Sequence, residues 1–365
     1  MNRVDKVFAA LAFLVPLLLY GYTLCPTVPV GDGGELICSA HGLGIAHPTG
    51  YPLFCLLGRI FSIALPLGNI AVRVNAMSAL FAALTSLIVY FLTREMLRDR
   101  FGSNILLSRP VALFTALVFS FSEAMWSQAV QTEVYALQIF LVSSFILAIV
   151  RWWRGGDRRL ACLSGFIWGL SMANHTSAVF LLAPLVYLII SRRGRLHLAG
   201  DLPGLALFFL LGISIYAYLP LRSALDPTHD WGNPESLRLL WDHVTARAYR
   251  RHFLFAFPLD ILNNLLYYTS LLADQFSLVL LGVSLIGAVL QGIRRPGLFF
   301  CLLLAVLGNV LLTASYDIQD MEAYYLPSYL IFALWLGLAV SAALAKAARR
   351  YPGQVLRWGA GAILV

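Results

Sequence analysis

The chain has 365 residues, of which 60% are hydrophobic and only 12% charged, with a net charge of +8. Soluble globular domains run at roughly 45–50% apolar and about 25% charged. The composition excludes a soluble enzyme, a disordered protein and a disulfide-built secreted scaffold, and it fills on the order of ten membrane segments of about 20 residues.

In chain order, apolar runs predict helices at 7–24, 74–93, 110–126, 134–150, 160–172, 177–191, 203–220, 274–291, 297–313 and 325–345. A last run starts near 356 and breaks off at Val365, so the chain is expected to be truncated there. The fold class is all-α: one polytopic transmembrane bundle, 1–365, of about 10–11 membrane segments. Residues 51–66 are apolar but contain Arg59 and are too short to span. They predict a helix lying along the outer interface. The runs 160–172 and 177–191 are short, about 20 Å each at 1.5 Å per residue. They predict a hairpin whose turn, Ala173-Asn174-His175-Thr176, sits at membrane depth and faces protein or water.

Charge sets the orientation. With the N-terminus in the cytoplasm, 19 of the 26 basic residues fall on cytoplasmic segments, as the positive-inside rule requires. Of the 18 acidic residues, 13 fall on the outer side. That bias points to chemistry or binding at the outer face, in loops at about 25–73, 126–133, 221–273 and 314–324. The basic excess is thereby assigned to topology, not to nucleic acid. The five cysteines form no CxxC pair, and a disulfide among Cys25, Cys38 and Cys55 is one option.

The first outer loop carries Pro29-Val30-Gly31-Asp32-Gly33-Gly34-Glu35. Two carboxylates three residues apart suit a general base that activates a hydroxyl. The same spacing suits a helix start, with Asp32 as cap and Glu35 as its partner. His47-Pro48-Thr49-Gly50-Tyr51-Pro52 predicts a rigid turn that brings His47 and Tyr51 back toward Asp32. Arg59 is either a phosphate contact or a side chain snorkelling to headgroups. Glu133 and Tyr135 open an apolar helix, and an acid there faces either the bundle or the helix dipole. His175 is an intramembrane polar residue and a candidate cavity-lining group. Arg222 follows a span directly and can clamp a lipid phosphate. Trp231 can stack on a sugar or anchor in the interface. Arg247, Tyr249, Arg250, Arg251 and His252 form a basic-aromatic cluster. In the last outer loop, Tyr316 and Tyr324 flank Asp317, Asp320 and Glu322. These acids could bind a divalent cation, although their spacing is not diagnostic.

These motifs together resemble the protein O-mannosyltransferase-like membrane family. The resemblance rests on Gly31-Asp32-Gly33-Gly34-Glu35-Leu36, on Leu43 to Leu53 and on Arg73-Val74-Asn75. Thr132-Glu133-Val134-Tyr135, Asn174-His175, Pro220-Leu221-Arg222-Ser223, Trp231-Gly232-Asn233-Pro234 and the Tyr324-Tyr325-Leu326-Pro327 run extend it over about 7–335. Thr49 departs from it, where the family has a second proline. The resemblance implies a GT-C fold and an inverting glycosyltransferase. A polyprenyl or dolichyl phosphate sugar, mannose first, would be the donor, and a protein or glycan hydroxyl the acceptor. Asp32 would be the base, Glu35 its neighbour, and Arg222 and Arg59 would hold the leaving phosphate. The expected location is the bacterial inner membrane, with the site on the periplasmic side. Two other classes stay open: a flippase or transporter of lipid-linked sugars, and a non-catalytic subunit.

Overall fold

The structure is a computed structural model that describes residues 2–98, 105–191, 198–252, 258–317 and 321–350. The chain opens with α1 (Arg3–Tyr22), α2 (Gly33–Gly42), α3 (Pro52–Ala64) and α4 (Ile70–Leu97). Next come α5 (Ile105–Ser120), α6 (Glu123–Ala129), α7 (Tyr135–Gly155) and α8 (Arg158–Asn174). A 3-10 turn, Thr176–Leu181, leads into α9 (Leu182–Ser191), followed by α10 (Leu198–Ile213) and α11 (Tyr218–Ser223). The long loop after α11 holds α12 (Leu237–Val244) and a 3-10 turn, Arg247–His252. The chain then forms α13 (Pro258–Arg294), α14 (Pro296–Ala314), α15 (Met321–Tyr324) and α16 (Leu326–Arg350). An isolated parallel β bridge joins Ile45 and Asp230.

Seven helices are long and apolar enough to cross a membrane, and α5 with α6, bent by 71°, makes an eighth if counted as one span. The protein is a multi-pass integral membrane protein. With α8 and the 176–191 segment, every one of the ten apolar runs up to 345 is helical. The run from 356 lies outside the described residues.

Two predicted boundaries move. The run expected at 110–126 bends between α5 and α6, where the Ser122 hydroxyl donates to the Phe119 carbonyl (2.8 Å). The outer loop expected at 221–273 is shorter, because α13 already starts at Pro258 and runs 37 residues, with a break at Ser277 (φ 54°). Its first turns carry polar residues that read as loop. In the fold they are bonded inward: Asn264 donates to the Ala314 carbonyl (3.0 Å) and Tyr268 to Ser328 (2.9 Å).

Ion pairs tie helix ends at the end of the bundle that carries the α1 start. Asp5 accepts from Arg94 of α4 (2.8 Å) and Arg109 of α5 (2.6 Å), and Glu95 accepts from Arg154 of α7 (2.7 Å). The hairpin packs through glycine. A Cβ on Gly165 or Gly169 of α8 would run into the Leu205 and Phe209 carbonyls of α10. Close backbone approach of this kind is how helices associate in lipid, where the hydrophobic effect gives no drive. One core, built on α4, α5, α7, α13, α14 and α16, fills the bundle. A second joins α2, α3 and the start of α7 to Tyr216, Tyr218 and Leu219.

Candidate active site

Asp32 precedes α2, but its backbone is helical and its side chain makes no capping bond. The capping pair that the spacing allowed is therefore not formed. Glu35 turns to the His47 turn instead. Its two oxygens accept from the His47 backbone N–H (2.6 Å) and face His47 Nδ1 (3.0 Å). That fork orients the ring. His47 Nε2 then lies 2.9 Å from the Tyr51 hydroxyl and 3.7 Å from Asp32 Oδ2. The Asp32 side chain is 61% exposed, against 24% for Glu35.

The turn that delivers these groups is tight. Gly50 N–H donates to the His47 carbonyl (2.7 Å), and Gly50 and Tyr51 both take positive φ, 85° and 42°. The left-handed conformation at Tyr51, costly for a bulky residue, aims its ring inward, where it stacks on His175 (5.8 Å between centroids). His175 also meets Tyr135 (5.7 Å) and Tyr324 (5.2 Å). On the other side His47 meets Trp231 (6.2 Å) and Tyr249 (6.5 Å). Five segments far apart in sequence thus build one wall of rings beside Asp32 and Glu35.

The scaffold behind the wall is polar and hydrogen-bonded. Asn75 donates to the Cys25 (2.8 Å) and Thr27 (3.0 Å) carbonyls and accepts from Thr132, next to Glu133. Asn174 of the hairpin turn donates to the Val134 carbonyl (3.1 Å) and Gln138 (3.0 Å). The turn is buried against α7, as the short hairpin required. The loop 223–233 is pinned by the Ile45–His229 (2.7 Å) and Trp231–Ile45 (3.2 Å) backbone bonds.

Arg59 and Arg222 converge on one feature, the C-terminal end of α2. Arg59 donates to the His41 carbonyl, and Arg222 Nε to the Leu43 carbonyl (2.8 Å). Cations suit the negative end of a helix. Arg59 keeps Nε and Nη2, and Arg222 keeps Nη1, without a protein partner among the described residues.

Electrostatics separate donors from acceptors. Burial pushes the Glu35 carboxyl up, but the bonds from His47 outweigh it and hold the group below the usual carboxylate range. Burial raises Tyr51 well above its ordinary value, and Tyr324, Asp32 and Glu133 raise it further. Burial, then Glu35 and Asp32, raise Tyr249 as well. These phenols keep their protons and act as donors. Asp32, Glu35 and His47 also place ligand atoms within 4.8 Å of one another, a donor set that a divalent cation can use. Of the last-loop acids, Glu322 accepts from Tyr267 (3.1 Å), and Asp320 lies outside the described residues.

His243 went unnoticed in the sequence. It is 4% exposed, and a Cβ on Gly50 or Gly232 would sit about 3 Å from its ring. It wedges α12 against both site turns, and burial pushes it down to about 4. No single-sequence signal joins positions 50, 232 and 243. All five cysteines are free, so no disulfide forms in the first loop.

Residues 32–198 match the family described as protein O-mannosyl-transferase TMEM260 N-terminal domain. Over that stretch the chain is similar to this family. The TMEM260 protein O-mannosyl-transferase of Mus musculus is 31% identical over 250 residues, covering 67% of this chain and 34% of its own length. That of Dictyostelium discoideum is 28% identical over 298 residues, covering 76% of this chain and 35% of its own. The chain thus spans about a third of these relatives. Among solved structures, ArnT from Cupriavidus metallidurans aligns over 97% of this chain with a TM-score of 0.62. Identity is 14% in the apo form, of which 62% is covered, and 16% in the form bound to undecaprenyl phosphate, of which 63% is covered. The fold is that of ArnT.

Proposed function

We propose that this protein is a membrane glycosyltransferase. It moves a sugar, mannose first, from a polyprenyl-phosphate donor to an acceptor hydroxyl on a protein or glycan. The chemistry takes place at the periplasmic face of a bacterial inner membrane, with the N-terminus in the cytoplasm. One observation carries the reading: an exposed carboxylate, Asp32, is left uncommitted beside a fixed Glu35–His47 pair and a wall of aromatic rings. The relatives' names supply the reaction class, and the ArnT complex supplies a lipid phosphate as a ligand of this fold.

The roles follow from the surroundings. Asp32 takes the proton of the acceptor hydroxyl, and the freed oxygen attacks the anomeric carbon on the face opposite the phosphate. The bond from that carbon to the phosphate oxygen breaks, and the lipid phosphate leaves with its electron pair. Configuration inverts. The proton on Asp32 then returns to water, which its exposure allows. Glu35 orients His47, so that Nε2 and the Tyr51 hydroxyl face the sugar side. Arg59 and Arg222, anchored through part of their donors, give the rest to the phosphate as its charge develops. Trp231, Tyr135, Tyr324 and His175 offer ring faces to the sugar, and Glu133 a carboxylate for its hydroxyls.

The test supplies the full chain, in proteoliposomes, with radiolabelled mannosyl polyprenyl phosphate or with a nucleotide-linked mannose. Label should reach acceptor or water from the lipid donor only. Use of the nucleotide sugar alone, or passage of intact lipid donor across the bilayer without cleavage, would contradict the reading; the latter is the transporter's result.

A further inference from the structure

The end of the bundle that carries the α1 start, the α4 end and the α8 start holds two kinds of arginine. Arg94 and Arg109 are paired with Asp5, and Arg98, Arg151 and Arg154 with Glu95. Arg158 and Arg159, at the start of α8, are exposed and form no ion pair among the described residues. Asp157 beside them is spent on the helix itself, its carboxylate accepting the Arg159 backbone N–H (2.9 Å). These three residues rim a cavity of about 570 Å³ whose walls are Cys162, Leu163, Phe166 and Phe208.

The cavity has an amphiphile's shape of chemistry. Its rim carries two guanidinium groups and a helix N-terminus, and its body is apolar. Arg158 Nε reaches over Gly204, where a Cβ would lie 3.7 Å from it. The body runs along α8 and α10, and α10 lies in a candidate membrane span with Leu207, Leu210 and Leu211 facing outward. The solvent of such a groove is lipid. A basic pocket between membrane helices favours anionic headgroups, and each arginine near such a surface contributes about fivefold in affinity.

We propose that this groove is a binding site for an anionic phospholipid, separate from the Asp32 site. The phosphate lies on Arg158 and Arg159, and an acyl chain lies along Leu163, Phe166 and Phe208. Arg158 suits the phosphate through a forked pair of N–H donors, and no proton or covalent bond moves. The inference does not depend on the proposed reaction.

Cys162 supplies the readout, because it lines the cavity and is half-buried. The full-length protein in detergent is labelled with a maleimide while dioleoyl phosphatidylglycerol, dioleoyl phosphatidylcholine or inorganic phosphate is titrated. Labelling at each cysteine is read by peptide mass spectrometry. Phosphatidylglycerol should protect Cys162 at a concentration at least fivefold below phosphatidylcholine, and inorganic phosphate should not protect it. In the Arg158→Gln/Arg159→Gln variant that preference should fall by fivefold or more, while labelling at Cys38 stays unchanged. Equal protection by the two lipids in the wild type would overturn the proposal. So would protection by inorganic phosphate alone, which describes a soluble-anion site. These wild-type arms decide the matter even if the variant folds poorly.

Discussion

Asp32 and Glu35 sit one helical turn apart and meet opposite environments. Glu35 is fixed through both oxygens, while Asp32 is left to solvent and His47. Their spacing in the sequence suited either a cap or a reacting pair; only the fold shows that the cap is not made. The orienting role predicts that Glu35→Gln lowers kcat by about tenfold to a hundredfold with a smaller change in donor KM, since the loss falls on His47 geometry. Steady-state transfer rates check it. His243 makes a different prediction, about stability. Its folded value, about 4, is depressed below the ordinary 6.5, so the unfolded state binds the proton first. Its contribution is full above about pH 6.5 and is lost as pH falls toward 4, an effect on the order of 2 kcal/mol. Hydrogen-exchange protection, taken relative to the intrinsic rate at each pH, should fall in 45–50 and 229–233 as pH drops across that window in the wild type. In His243→Leu it should not depend on pH there. The Glu35 shift has the same sign but acts lower, below its ordinary carboxylate value of 4.5. His243 was illegible in the sequence because its neighbours, Gly50 and Gly232, lie nearly 200 residues apart, whereas His47 and Tyr51 were legible because Pro and Gly announce their turn.

At the level of elements, apolar length carried most of the information. The runs gave α1, α4, α7, α14 and α16 nearly as they stand, and the two short runs gave α8 and α9, although α8 packs on α10 and α9 on α14. What length could not give was α13, whose first turns carry Asp260, Asn263 and Asn264 and therefore look solvated. Nor could it give the bend between α5 and α6, which is a matter of local hydrogen bonding. The hairpin depends on glycine contact, so Gly169→Leu should force α8 from α10 and lower stability by about 1–3 kcal/mol. Thermal unfolding in detergent measures that. The position of α2 depends on Arg59 and Arg222 at its C-terminal end. Arg222→Ala should raise donor KM by about tenfold or more, through both the loosened helix and the lost phosphate donor. A variant with unchanged donor KM would remove Arg222 from the phosphate site.

Over the whole molecule, the two faces differ in kind. One end is closed by ion pairs on Asp5 and Glu95, and it also carries the exposed Arg158 and Arg159. The other end gathers five segments around Asp32, held by Asn75, Asn174 and the Ile45–Asp230 bridge. That division agrees with the acidic bias of the outer loops and with the ArnT-like fold. The central claim concerns one oxygen atom pair at that end. The direct measurement is single-turnover transfer from radiolabelled mannosyl polyprenyl phosphate, comparing wild type with Asp32→Asn at matched expression and matched thermal stability. Transfer should fall by at least a thousandfold in the variant while donor binding stays within about threefold. Transfer at near wild-type rate by a folded Asp32→Asn protein would contradict it.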